Sequence, residues 1–149
     1  MKIFIMFLVL VTAAAVVLMV VLSCSGQTPS VNLVNGKFRS CPNTPNCVSS
    51  DSQTDLARID PLAFPGDADE AWQRLQQIVV ETGGQIQSRE ADYIWATYTS
   101  RLFRFVDDLE LRLDRGAGVV HVRSASRVGR SDLGVNRKRV ETLRERFQR

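Results

Sequence analysis

An uninterrupted apolar run at the N terminus constrains this chain more than any other feature. Residues 3–22 read IFIMFLVLVTAAAVVLMVVL, with Thr12 as the sole polar residue and Lys2 as the only charge before them. About 20 apolar residues suffice to cross a bilayer as a helix, and a basic start before an apolar stretch is typical of a secretory signal. We therefore predict a signal or a membrane anchor that lies outside the folded domain.

The exit from this run, VLSC at 21–24, resembles the lipobox of bacterial lipoproteins, whose cysteine is acylated and becomes the first mature residue. The resemblance implies a lipoprotein signal over 1–23 and lipidation at Cys24. An uncleaved signal anchor and an ordinary cleaved signal remain alternatives. Because Lys2 is expected on the cytoplasmic side, the domain should lie in the cell envelope, and Ser25 favours the outer over the inner membrane.

The other two cysteines form a C-x₅-C pair, Cys41 and Cys47, with two prolines between them. In an oxidising compartment such a pair is expected to form a disulfide. A structural zinc site needs about four ligands, and the chain has a single histidine, His121. A reactive thiol needs a neighbouring base. The spacing favours the disulfide, while a metal site and a reactive thiol remain the alternatives.

Residues 24–37 lack periodicity and predict a flexible tether, and residues 38–149 are long enough for one domain. A helix is predicted after Asp67, because Asp67 and Glu70 form an acidic capping box and Gly83-Gly84 ends the pattern. Its apolar residues recur at three- and four-residue spacing: Ala68, Ala71, Trp72, Leu75, Ile78 and Val79.

Period-two alternation then predicts strands. Leu109, Leu111 and Leu113 alternate with polar residues, as in a half-buried strand, and the segments at 85–89, 93–99 and 119–124 follow a similar pattern. Residues 55–62 are a further strand candidate, and Asn136 is expected to cap a closing helix. The chain is predicted to be an α+β domain with an antiparallel sheet of four to five strands and two helices packed on one face.

Charge is distributed unevenly along the domain. Residues 101–149 hold 13 basic and 7 acidic side chains, whereas residues 25–100 hold 5 and 9. Such asymmetry can favour an anionic partner. For an exported protein we expect an envelope protein, an anionic lipid or a glycan as partner, and no nucleic acid, although the two halves could also neutralise each other.

The loop before the closing helix is the best candidate anion or partner site, because backbone N–H groups at a helix start and guanidinium groups favour anions. Its candidate residues are Arg127, Arg130, Ser131, Asn136 and Arg137. The alternative is that these arginines pair with Asp107, Asp108 or Asp132 and hold the loop.

Catalysis is the rival hypothesis. His121 is the best proton-transfer candidate, and the carboxylates of Asp107, Asp108 and Glu110 could act as acid and base or hold a metal. Neighbouring strand residues point to opposite faces, however, so Asp107 and Asp108 should not converge. No nucleophile elbow, phosphate loop or dinucleotide fingerprint is visible, so we expect no cofactor, no metal and no catalytic residue.

Three motifs in order, CPNTPNCVSS at 41–50, FVDDLELRLD at 105–114 and SASRVGRSDLGVNRKRVETLR at 124–144, resemble the DUF1499 family of domains of unknown function. The resemblance covers about 38–147. It implies no established reaction, and it indicates that the closing motif, with Arg127, Ser131, Asp132, Gly134, Asn136 and Arg137, matters to the domain. A membrane-anchored binding or assembly module is the favoured hypothesis, and an envelope enzyme is the alternative.

Overall fold

The computed structural model describes residues 1–24, 29 and 31–149, without the side chains of 22–24. Its helices are α1 (Lys2–Cys24), α2 (Ala68–Glu81) and α3 (Val135–Phe147). Its strands are β1 (Cys47–Ser49), β2 (Leu62–Ala63), β3 (Gln85–Arg89), β4 (Tyr93–Thr99), β5 (Val106–Asp114) and β6 (Val119–Ser126).

The N-terminal apolar run forms α1. The part from Lys2 to Val21 is long and apolar enough to cross a membrane, and none of it is buried in the domain. Length and composition alone do not separate an anchor from a signal sequence, which has the same properties near an N terminus. The side chain of Cys24, and residues 25–28 and 30 of the predicted tether, lie outside the described part of the chain.

Helix α2 forms where the periodicity predicted it. The Asp67 side chain accepts hydrogen bonds from the backbone N–H groups of Asp69 and Glu70, which caps the first turn. Gly83, with φ of 94°, follows the helix in the left-handed conformation that glycine tolerates. The apolar side of the helix is buried, with Leu75 and Val79 fully so.

The strands form one antiparallel sheet in the order β1-β6-β5-β4-β3, with β2 also paired to β6. Helices α2 and α3 contribute to the same hydrophobic core as the inward residues of the sheet, such as Leu109, Leu111 and Val122. The predicted α+β class is confirmed, with two helices packed against an antiparallel sheet and an N-terminal helix before it.

Two local predictions were wrong. Residues 55–57 form a turn rather than a strand, because the N–H groups of Ala57 and Arg58 both bond to the Thr54 carbonyl, and the strand is limited to β2. Asn136 does not cap the closing helix. The cap position of α3 is Gly134, and the Asp132 side chain accepts from the N–H groups of Gly134 and Asn136 instead.

Candidate functional site

The sheet face opposite the helices carries charged and aromatic side chains. Because Leu109 and Leu111 point into the core, the residues that alternate with them on β5, such as Glu110, point away from it. The antiparallel register places Arg123 directly opposite Glu110, and His121 opposite Arg112. We call the following residues the polar sheet face: Tyr93, Trp95, Asp108, Glu110, Arg112, His121 and Arg123.

Glu110 and Arg123 form a buried ion pair at the centre of this face. Arg123 Nη1 lies 2.8 Å from Glu110 Oε2, and the Tyr93 hydroxyl donates to Oε1, also at 2.8 Å. Each of the two charged residues is only 2% exposed. Burial, and then the Glu110 carboxylate, raise the pKa of Tyr93 far above its usual range, so Tyr93 stays a neutral donor. Both oxygens of Glu110 are therefore already occupied.

The neighbouring aspartates are bound in the same way, on opposite sides of the sheet. Asp108 receives a bidentate pair of hydrogen bonds from Arg127, both at 2.9 Å, and one from Trp95 Nε1 at 2.8 Å. Asp107 pairs with Arg139 of α3 at 2.6 Å. The three carboxylates weighed as acid, base or metal ligands thus each hold an arginine and do not meet at one site.

His121 lies among hydroxyl and carboxylate groups that the sequence did not associate with it. Its Nδ1 is 3.1 Å from Ser50 Oγ and 3.5 Å from Asp51 Oδ1, and its Nε2 is 3.8 Å from Asp114 Oδ2. Ser50 Oγ also accepts from the Val122 N–H at 3.0 Å. That acceptance leaves the Ser50 hydroxyl proton free to point at Nδ1.

The ionisation of His121 follows from its surroundings. Burial, followed by the Arg112 guanidinium, lowers the pKa of His121, and Asp51 and Asp114 oppose this only in part. The imidazole is therefore neutral at pH 7 and able to accept a proton. A serine hydroxyl that donates to a neutral imidazole is the starting geometry for nucleophilic activation. Sequence reasoning missed Ser50 as a partner, because 71 residues separate it from His121.

The segment 38–47 crosses the polar sheet face and covers part of it. Phe38, which is 6% exposed, lies against the Arg112 guanidinium, with 5.7 Å from Cζ to the ring centre. At the other end the Asn46 carbonyl accepts from the Ser126 N–H at 2.9 Å. Between these ends, Cys41 and Cys47 stand at disulfide-bonding distance, with Cα atoms 5.7 Å apart, as expected for this cysteine pair in an oxidising compartment.

Asn136 joins this segment to the sheet and to α3. It is fully buried, and its Nδ2 donates to the Asn46 carbonyl at 3.1 Å and to Ser126 Oγ at 3.0 Å. Its Oδ1 accepts from the Ser124 hydroxyl at 2.6 Å. A buried amide whose donors and acceptor are all engaged fixes the packing around it. Asn136 therefore holds the closing loop in place and is not exposed to a ligand.

Of the five residues predicted as an anion or partner site, two have their polar groups occupied internally. Arg127 is bound to Asp108, as the structural alternative for these arginines supposed, and Asn136 belongs to the buried network. The side chain of Arg127 is only 13% exposed. An incoming anion at Arg127 would have to compete with a buried carboxylate.

The other three residues do not converge either. Arg137 donates to the Leu56 carbonyl at 3.2 Å, and Ser131 Oγ accepts from the Leu133 N–H at 3.3 Å. Arg130 is exposed and makes no ion pair within the described part of the chain. The structure therefore places the five residues in different environments rather than around one ligand.

The surface of the domain has several clefts, of which two differ in how close they lie to the candidate residues. A cleft of about 480 Å³ lies along the outer side of α2 and reaches Arg89, and its other lining residues are mostly glutamines. A cleft of about 290 Å³ lies beside Asp51, between Lys37 and Thr54. Within residues 1–24, 29 and 31–149, no group of three His, Cys, Asp or Glu side chains is placed to hold a metal ion.

Comparison with known proteins gives a family and no activity. No curated protein and no solved structure matches the chain. Residues 37–147, which are more than half of the chain, match the family described as "Protein of unknown function (DUF1499)". The expected resemblance is confirmed, and the chain belongs to the DUF1499 family.

Proposed function

We propose that this protein is a membrane-tethered, non-catalytic binding or assembly domain of the cell envelope. The observation that carries the proposal is that Lys2–Val21 of α1 is long and apolar enough to cross a membrane and none of it is buried, while the core of the domain is built without it. An apolar helix with no place in the core needs a lipid environment or a translocation machinery. The division proposed is a signal or anchor over 1–23, a tether over 24–37 and the domain over 38–149.

The sequence at the end of the N-terminal apolar run and the cysteine pair support an envelope location. The sequence VLSC at 21–24 resembles a lipobox, so acyl chains on Cys24, palmitate among them, would hold the chain stably at a membrane. Cys41 and Cys47 stand at disulfide-bonding distance, and disulfides persist in oxidising compartments such as the periplasm. The absence of an aspartate after Cys24 favours the outer membrane over the inner one.

A binding role is supported by how the charged residues are used. Asp107, Asp108 and Glu110 each pair with an arginine, so none is poised for proton transfer or metal binding. Arg130, by contrast, is exposed on the closing loop. The partner we propose is an envelope protein or an anionic lipid or glycan.

The anchor can be tested by a single substitution in the native host. In Cys24→Ala, incorporation of labelled palmitate should stop and the precursor should accumulate unprocessed, because the acylated thiol is gone. Ser25→Ala is the matched control and should be labelled and processed normally. Wild-type protein that takes up no acyl label but stays in the membrane would indicate an uncleaved anchor, and protein found in the cytosol would refute the envelope location.

A serine esterase is the second candidate, and the contact between Ser50 and His121 favours it specifically. In that reaction Ser50 Oγ would attack the acyl carbonyl of an ester while His121 Nδ1 takes its proton, and the proton would pass to the alcohol that leaves as the ester bond breaks. Water, deprotonated by His121, would then hydrolyse the acyl-serine and release the acid. A fluorophosphonate probe tests this directly. Labelling of Ser50 that is lost in His121→Ala supports the esterase, and an unlabelled full-length chain supports the binding module.

A further inference from the structure

Two loops at one end of the sheet expose apolar side chains. The loop at 100–105 joins β4 to β5, and the loop at 127–134 joins β6 to α3. Leu102 is 70% exposed and Leu133 is 95% exposed, so neither contributes to the core. The Arg127 N–H donates to the Val106 carbonyl at 3.1 Å, which holds the two loops side by side. We call residues 100–105 and 127–134 the loop edge.

The backbone conformation at the tips of both loops is unfavourable for the residues found there. Leu133 has φ of 56° and Arg104 has φ of 58°, both in the left-handed region. That conformation favours glycine or asparagine and is costly for other residues. Large side chains at strained, exposed tips of both loops indicate that these side chains are used outside the domain.

The exposed charged side chains of the loop edge are all positive. Arg101, Arg104 and Arg130 are exposed, and the described residues give none of them an ion pair. Of the two acidic residues here, Asp107 is buried and pairs with Arg139, and the half-buried Asp132 accepts hydrogen bonds from the backbone N–H groups of Gly134 and Asn136 at the start of α3. Exposed leucines flanked by unpaired arginines are complementary to an anionic lipid surface.

We propose that the loop edge docks onto the anionic bilayer at which the N-terminal segment holds the chain, a step that rests on the proposed membrane tether. The 13 residues 25–37 span at most about 45 Å when extended. The domain is therefore kept within reach of the surface, and tethering raises the local concentration. With the tether in place, a few apolar and cationic contacts are enough to orient the domain against the bilayer.

The test uses the unprocessed full chain, in which α1 serves as the tether, with Cys24→Ser to remove the free thiol, reconstituted into vesicles. One set is phosphatidylcholine alone, and the other is phosphatidylcholine and phosphatidylglycerol at 7:3. An environment-sensitive fluorophore is attached at Leu102→Cys or at Leu133→Cys, with Ala91→Cys at the opposite, exposed end of the sheet as the control. We expect a blue shift and quenching by lipid-borne nitroxide at 102 and 133 in the anionic vesicles, and neither effect at 91.

Charge variants test the cationic contribution. Each of Arg101→Gln, Arg104→Gln and Arg130→Gln should lower the ratio of docked to undocked protein about fivefold in anionic vesicles. Arg89→Gln removes the same charge from an exposed position at the far end of the sheet and should leave the ratio unchanged. Added salt should reduce docking in the same direction, because exposed charges are screened.

Separate readouts distinguish the failure of the docking from the failure of the tether. Vesicle flotation in alkaline carbonate reports the tether alone, and a wild-type chain from the native host, with Cys24 intact, that does not float refutes the proposed membrane attachment. A chain that floats while the labels at 102 and 133 stay in water overturns the docking. Labels that become buried with rising protein density in both kinds of vesicle show contact between two copies, and this also overturns the docking.

Discussion

Loss of the negative charge of Glu110 should destabilise the domain more than any surface substitution. Glu110→Gln keeps the size of the side chain and an oxygen that can accept from Tyr93, but it leaves the positive charge of Arg123 buried without its partner. Arg123 already has an Nε with no hydrogen-bond partner in the described part of the chain. The guanidinium therefore has no alternative acceptor at hand.

The magnitude follows from the burial of both groups. Their side chains are 3% and 2% exposed, so solvent cannot screen the remaining charge. Removing one partner of such a buried pair costs about 3–5 kcal/mol. Domains of this size have a total free energy of unfolding of about 5–15 kcal/mol, and each lost kcal/mol lowers Tm by about 4–8 °C. Glu110→Gln should therefore melt at least about 12 °C below the wild type.

The assay is thermal unfolding of the full chain in detergent micelles, followed by tryptophan emission. Both tryptophans, Trp72 and Trp95, lie in the domain, so the signal reports its unfolding and not that of α1. Adding Arg123→Met to Glu110→Gln removes the second charge and should recover most of the loss. The control is Arg115→Gln, which removes an exposed arginine and should melt close to the wild type.

The reasoning about the buried charge would be refuted by two results. One is a Glu110→Gln variant whose Tm lies within a few degrees of the wild type. The other is a double variant whose loss in free energy of unfolding exceeds the sum of the losses of Glu110→Gln and Arg123→Met measured singly. Such a loss would mean that packing, and not the unpaired charge, sets the cost.

Three further predictions concern stability. In the wild type the free energy of unfolding should fall as the pH decreases from about 6.5 to the lowered native pKa of His121, because the unfolded chain is protonated first. In His121→Asn this fall should be absent. The double variant Cys41→Ser with Cys47→Ser should lose about 2 kcal/mol in urea unfolding, since the loop that the bond closes is short. Gly84→Ala should lose about 1–3 kcal/mol, because its Cβ would lie 2.7 Å from a side-chain carbon of α2; Gly116→Ala, whose nearest atom is 3.6 Å away, is the control that should stay near the wild type.

The helices and central strands were predictable because their signals are local. A stripe at three- and four-residue spacing marks α2, and alternation marks β5 and β6. The same alternation treated Glu110 and Arg112 as the polar side of a half-buried strand, whereas Glu110 is 2% exposed. Periodicity separates the two faces of a strand but does not show whether a distant segment covers the second face. Here Phe38 and the segment after it cover it.

The candidate sites were harder to predict for the same reason. The closing loop was recognised as rich in arginine, but the sequence could not show which of Asp107, Asp108 and Asp132 would pair with Arg127; the structure pairs it with Asp108. Nor could it place Ser50 beside His121, since contacts over 71 residues depend on strand register. Sequence motifs identified the candidate residues, whereas the strand register of the sheet determines which of them are in contact.

The basic half of the chain contains two sets of arginines with different consequences. Arg123 and Arg127 of the basic half pair with the buried carboxylates of Glu110 and Asp108, so they add to the number of basic residues but not to the charge that faces a partner. Arg101, Arg104 and Arg130 lie on the loop edge and face solvent. Docking of the loop edge on an anionic surface should therefore depend on these three arginines, whereas substitution of Arg123 or Arg127 should weaken docking only as far as it unfolds the domain. Binding and unfolding measured on the same variants would separate the two groups, because an arginine whose loss weakens binding at unchanged Tm acts at the surface.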